Sequence, residues 1–330
     1  MTNHDVISLG ILRSDHIYST NIVALSGEHP VQQSAINSGG AAANTVFGLS
    51  RLGFKCGLIG VVGNDPAGRD LVAEMSSVGV DVRHVDLICD AQTDSAIVIY
   101  DSEGSRVCYI YHDAGRLFHI DESMLDTLNE TAMVHVGDMI DQVQIDAVAN
   151  VLKQLNTKVA VSISISDSEA ALGFKLLEPI ISRAAVVFAS KTAIEKLTGK
   201  NFKRAEKMCR QSGARATVIF LTCGAEIRKI RRKGKVASVT TYLRNSEYEC
   251  LIESAIRKWP NVIEPTGAQD AFTAGYLFGL LKGKAIEECG FLGDIMAQAC
   301  LKKPGTRDSL PGAGELSSRY YQIHHEEISF

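Results

Sequence analysis

Glu264-Pro-Thr-Gly-Ala-Gln-Asp-Ala-Phe-Thr-Ala-Gly-Tyr-Leu-Phe-Gly-Leu-Leu281 puts a glycine turn, one carboxylate and an apolar run in immediate succession. Residues 271 to 281 carry no charge and read as a buried helix. Gly267, Ala268, Gln269 and Asp270 then fall at its N-terminus, where backbone N–H groups lack intrahelical partners and the helix dipole favours negative charge. This is the pattern of an anion site with a base beside it. Taken alone, Asp270 reads equally well as a helix cap.

A chain of 330 residues, 45% hydrophobic and 22% charged, can bury a large core in one domain or two. Its net charge of −4 gives no overall pull towards a polyanion. The basic run is local: Arg228-Lys-Ile-Arg-Arg-Lys-Gly-Lys235, where Gly234 suggests a hairpin with solvated charges rather than a nucleic-acid patch. Eight cysteines (56, 89, 108, 209, 223, 250, 289, 300) are scattered singly, with no Cys-x-x-Cys pair, and read as free thiols in a reducing compartment. Met1-Thr-Asn-His-Asp-Val6 lacks the basic start and apolar run of a signal peptide, and no stretch of about 18 apolar residues spans a bilayer. A cytoplasmic protein without membrane or nucleic-acid partners is expected.

No repeat, low-complexity tract or Pro-rich linker divides the sequence, so residues 1–330 are expected to form a single domain with insertions. Short apolar runs recur at Val6–Gly10, Cys56–Val62, Met133–Val136, Lys158–Ser164, Ala185–Phe188 and Thr217–Thr222. Each is apolar enough to be covered on both faces. Helical patterns lie between them, at Ala41–Leu52, Gly68–Ser77, Gln142–Leu155 and Ala193–Leu197. This alternation predicts an α/β fold, a mostly parallel sheet sandwiched by helices. Residues 11–38 and 93–113 alternate apolar with polar instead, and predict a small antiparallel β lid over the C-terminal ends of the parallel strands.

A second glycine-rich segment, Ser38-Gly-Gly-Ala-Ala-Ala-Asn-Thr-Val-Phe-Gly-Leu-Ser-Arg-Leu-Gly53, precedes a predicted helix. Paired glycines admit close backbone approach to a ligand, and Asn44 carries both donors and an acceptor. On the residues alone, a plain turn and a helix-capping Asn fit equally.

Together the two segments resemble the signatures of the ribokinase, or PfkB-type, carbohydrate and nucleoside kinase family, over nearly the whole chain. Gly39-Gly40, Asn44, Leu52-Gly53, Gly63, Asp65 and Gly68 match its N-terminal signature. Glu264 to Phe272 stands where the family usually has Asp-Thr-x-Gly-Ala-Gly-Asp-Ala-Phe. Gly10 with Asp15, and Thr222-Cys-Gly224, resemble its first strand and its nucleotide-site Thr-x-Gly.

The resemblance implies a ribokinase-like three-layer αβα sandwich and an ATP-dependent phosphotransferase acting on a hydroxyl of a sugar or nucleoside, with Mg²⁺. It makes Asp270 the general base. Asp15, Gly39, Gly40 and Asn44 become substrate-binding residues; Thr222, Gly224, Gly267, Ala268 and Gln269 line the nucleotide site and anion hole. No metal ligand is identified. It also implies a homodimer formed through the lid sheets.

The chain departs from the pattern in three places. Gln269 replaces the second glycine of Gly-Ala-Gly-Asp, where a need for φ > 0 would strain it by about 1 kcal/mol or more. Ser190-Lys-Thr-Ala193 stands at the family's Asn-x-x-Glu, with Lys191 available for phosphate. Ser162-Ile-Ser-Ile-Ser-Asp167 replaces an Asp-Pro-Asn-like strand end. A catalytically impaired kinase-fold protein that binds a sugar or nucleotide ligand in a regulatory role is therefore the alternative expectation.

Overall fold

The computed structural model describes residues 4–24, 26–101, 105–221, 228–232, 235–253, 266–302 and 305–330. The chain begins with β1 (His4–Leu9), β2 (Arg13–Thr20), β3 (Val31–Gly39), α1 (Ala41–Arg51), β4 (Cys56–Gly63), α2 (Pro66–Ser77), β5 (Asp81–Ile88), β6 (Asp94–Asp101) and β7 (Arg106–Tyr111). It continues through α3 (Leu125–Asn129), β8 (Thr131–Val136), α4 (Gln142–Gln154), β9 (Ala160–Ile165), α5 (Asp167–Ala170), α6 (Phe174–Arg183), β10 (Val186–Ser190), α7 (Lys191–Thr198), α8 (Phe202–Gln211) and β11 (Ala216–Phe220). It ends with β12 (Arg228–Arg232), β13 (Lys235–Arg244), β14 (Glu249–Glu253), α9 (Ala268–Leu281), α10 (Ile286–Cys300) and α11 (Ala313–His324).

The large sheet runs β12-β13-β11-β10-β9-β8-β1-β4-β5, with β14 also on β13. Every pairing from β11 to β5 is parallel, and β13 adds the antiparallel edge. The period of two explains why the strands are apolar throughout. Val6, Met133, Val186 and Val218 enter one apolar cluster, with α1, α9 and α10. Their chain neighbours Ile7, Val134, Val187 and Ile219 enter the other, with α4, α6, α7 and α8. Each side chain buried this way contributes about 1.5–3 kcal/mol. The expected sandwich is the observed one. In the basic run, β12 and β13 pair antiparallel from Arg228↔Val239 to Arg232↔Lys235, while Lys233 and Gly234 lie outside the described residues.

The uncharged α9 is buried on nearly every side, and Gly275 lets it meet α10 closely: a β-carbon there would lie 2.6 Å from the Leu292 carbonyl oxygen. Among the described residues no helix is long and apolar enough to cross a membrane.

The smaller sheet runs β3-β2-β6-β7. β2–β3 and β6–β7 are antiparallel, as expected, whereas the central β2–β6 pairing is parallel. Each hairpin leaves the large sheet shortly after a strand of the same direction, β1 or β5, so the two enter side by side pointing the same way. Asp15, Ile17, Ala96 and Val98 turn inward and are buried. On the opposite face, one row aligns His16 with Ile36 and Ile97, and Ile97 with Tyr109. Ile36, Ile97, Tyr109 and Tyr111 are exposed there.

Candidate active site

The turn before α1 is shaped by two glycines. Gly40 has φ 102°, and a β-carbon on it would stand 2.1 Å from the Ile11 carbonyl oxygen. Gly39 abuts the carboxylate of Asp15. Asp15 is fully buried at the foot of β2, where Arg13 Nε donates to its Oδ1 at 2.7 Å. Its Oδ2 has no hydrogen-bond partner among the described residues. An unpaired buried acceptor costs about 1–3 kcal/mol, and more when charged.

Asp138 approaches from the end of β8. It holds φ 60°, and its Oδ2 accepts from the Ala42 N–H at 3.1 Å, capping α1 from outside the helix. Its other oxygen lies 3.9 Å from Arg13 Nη1. Burial pushes the Asp138 carboxyl up, against the pull of Arg13. Behind it, Glu169 is pushed up to about 7 by burial and by Asp138, although it accepts from the Met139 and Ser166 N–H groups.

The decisive segment closes the site. Gly267 is the left-handed N-cap of α9, with φ 83°, and a β-carbon on it would lie 2.8 Å from Thr306 Cβ. Asp270 follows in the first helical turn, and its Oδ2 accepts from Asn44 Nδ2 at 2.8 Å. The two glycine-rich turns therefore meet through their polar side chains. Burial pushes the Asp270 carboxyl up to about 7; the Asn44 donor and Arg13 oppose this, while Asp138 and Asp15 add to it. Asn44 Oδ1 in turn accepts from Arg307 Nε at 2.9 Å. Arg106 Nη2 of the lid donates to Thr266 Oγ1 at 3.1 Å, linking β7 to the same turn.

Asp15, Gly39, Gly40, Asn44, Gly267, Ala268, Gln269 and Asp270 thus cluster around one site. Thr222 and Gly224 lie outside the described residues, as do Glu264 and Pro265. Gln269 requires a correction: it sits in the first turn of α9 without positive φ, and the left-handed conformation belongs to Gly267. Ser190 ends β10 and caps α7, accepting from Ala193 N at 2.9 Å and pairing with Thr192 Oγ1 at 2.8 Å. Ser166 caps α5 in a capping box with Glu169, while Ser162 pairs with His135 in the core. Sequence reading missed Arg13, Asp138, Glu74 and Arg307. Only Asp138 had a signal, standing after an apolar strand at its ligand-binding end.

The first turn of α9 follows a glycine cap, and the positive end of the helix dipole there suits an anionic group such as a nucleotide phosphate. Among the described residues, no three His, Cys, Asp or Glu side chains are grouped to hold a metal; Mg²⁺ is usually held by one or two carboxylates together with substrate phosphates, which needs no such group.

The sequence model of the pfkB family carbohydrate kinase matches residues 3–313. The chain belongs to this family. An uncharacterised sugar kinase of Archaeoglobus fulgidus is 28% identical over 265 residues, 80% of this chain and 98% of that protein. A Burkholderia thailandensis nucleoside kinase solved in complex with inosine shares the fold at TM-score 0.79 and 17% identity, covering 98% of this chain and 99% of that one. An Arabidopsis thaliana ribokinase solved with ribose and ATP does so at TM-score 0.74 and 19% identity, covering 95% and 97%. This pfkB-family member is thus a kinase of the sugar and nucleoside class with a ribokinase-type fold.

Proposed function

We propose that the protein transfers the γ-phosphoryl group of ATP to a hydroxyl of a sugar or nucleoside, with Asp270 as general base. The observation that carries this reading is the Asn44–Asp270 hydrogen bond, which sets a carboxylate of perturbed acidity beside the buried, unpaired oxygen of Asp15. Asp15 Oδ2 accepts from an acceptor hydroxyl, and Gly39 and Gly40 let the turn pack directly against Asp15 and the Ile11 carbonyl. Asn44 holds one oxygen of Asp270, leaving the other to take the proton of the attacking hydroxyl. A base near pKa 7 is matched to that task, and such proton removal typically contributes 10²–10⁴-fold. ATP supplies the phosphoryl group when bound. The N–H groups of Gly267, Ala268, Gln269 and Asp270 stabilise charge on the phosphoryl oxygens, and Thr222 and Gly224 complete the nucleotide site.

The apolar outer face of the lid supports a homodimer, with a second copy of the chain covering Ile36, Ile97, Tyr109 and Tyr111. Seven free cysteines among the described residues fit a cytoplasmic setting.

The test is ADP release from ATP with ribose, fructose, adenosine, inosine, cytidine and inositol as acceptors. Turnover with at least one is expected. Thermal shifts without turnover for any of them would replace this reading with that of a ligand-binding regulatory protein. Sedimentation of wild type and Tyr109→Asp tests the dimer, which the charge is expected to dissociate.

A further inference from the structure

Four side chains from distant parts of the chain form one line. Glu74 on α2 accepts from Arg307 Nη1 at 2.6 Å; Arg307 Nε donates to Asn44 Oδ1 at 2.9 Å; Asn44 Nδ2 donates to Asp270 Oδ2 at 2.8 Å. Arg307 is only 2% exposed, its guanidinium lies over the Phe47 ring at 5.2 Å, and its Nη2 has no partner among the described residues. A fully charged group buried this deeply is costly, and among the described residues one carboxylate, Glu74, pairs with it.

We propose that Arg307 is a positioning residue for the base: by occupying the carbonyl end of Asn44, it forces the amide N–H₂ end towards Asp270. The inference rests on Asp270 being the base. Asn has one acceptor end and one donor end, and rotating its amide exchanges them. Arginine has donors only. A rotated Asn44 would put N–H₂ against the guanidinium and a carbonyl against the carboxylate, two repulsive contacts in a poorly solvated place. Without Arg307 the amide loses this constraint. The carboxylate then loses its donor for part of the time, binds its proton more tightly, and turns away from a fixed direction of attack.

Among the described residues, the charged groups around Asp270 are Asp15 and Arg13 from β2, Asp138 after β8, and Arg307 after α10, with Glu74 and Glu169 behind them. The experiment is the pH profile of kcat/KM for wild type, Asp270→Asn, Asn44→Ala, Arg307→Met, Arg307→Lys and the Asn44→Ala/Arg307→Met double variant, using whichever acceptor turns over. Arg307→Met is expected to lower kcat by about tenfold or more with KM within about threefold, and to move the acid limb up by about half a pH unit or more. In the Asn44→Ala background the same substitution is expected to add less than about twofold, because its route to Asp270 is already gone. Arg307→Lys keeps the charge beside Glu74 but not the fork, so it should fold and move the limb the same way; it carries the test if Arg307→Met does not melt cooperatively. An unmoved limb in the folded variants, or equal losses in both backgrounds, overturns the role of Arg307. Full activity of Asp270→Asn instead overturns the base assignment, and this inference with it.

Discussion

A β-carbon added at Gly39 would stand 2.5 Å from both carboxylate oxygens of Asp15. Backbone and carboxylate therefore share a space that only glycine leaves open. Gly39→Ala must displace Asp15 and disturb its bond from Arg13. We expect KM for the acceptor to rise about tenfold or more, and stability to fall by about 1–3 kcal/mol, as for other overpacked sites. Initial-rate kinetics and denaturant melts measure both; an unchanged KM would remove Asp15 from the acceptor site.

Asp270→Asn keeps the shape and removes the base. The expected loss is about 10²–10⁴-fold in kcat, with acceptor affinity within a few fold of wild type. Wild-type turnover by this variant would falsify the assignment.

The acidity of Asp270 makes two pH predictions. Its carboxyl stands at about 7 in the folded chain because of burial, against about 3.9 for a free Asp. The base must be ionised, so kcat/KM should fall about tenfold per pH unit below this value. For stability the direction is the reverse of the usual carboxylate. Between about pH 4 and 7 the folded chain holds a proton that the unfolded chain has released, so this group's contribution declines as pH rises and is flat above the folded pKa. Chemical denaturation at pH 5 and pH 8 should show wild type losing more stability across the interval than Asp270→Asn. Equal losses would contradict the raised pKa.

The first turn of α9 separates two glycine questions. Gly267→Ala puts a β-carbon at φ 83° and 2.8 Å from Thr306 Cβ, so it combines the left-handed penalty of about 1–2 kcal/mol with a clash. Gln269→Gly relieves no backbone strain and weakens the helix by up to about 1 kcal/mol. The alanine variant should therefore melt at the lower temperature; the opposite order would show that the strain lies at 269.

The parallel core was legible because each strand sends alternate apolar residues to opposite clusters, leaving runs such as Cys56–Gly63 buried throughout. Asp15, Asn44 and Asp270 stood out only because the glycine-rich segments together resemble the family's signatures; each segment alone fits a plain turn or a helix cap equally. Arg13 and Arg307 did not stand out. Nothing local distinguishes a solvated arginine from one that tertiary packing encloses, and the partners of Arg307 lie 233 and 263 residues away. Gln269 shows a subtler failure: a motif can mark where glycine is usual without showing which glycine carries the positive φ. The parallel β2–β6 join was hidden for a similar reason, since hairpin signals describe each ribbon and not how two ribbons abut.

The hydrogen bonds from Asn44 to Asp270 and from Arg307 to Asn44 span 226 and 263 positions of sequence. During synthesis the half proposed to bind the acceptor, with Asp15 and the Gly39-Gly40 turn, is made long before residue 307 leaves the ribosome. A nascent chain can therefore shape a place for substrate without being able to act on it. Appearance of activity should consequently be among the last events of folding, lagging behind burial of the β1–β4 core, because long-range closure is slow.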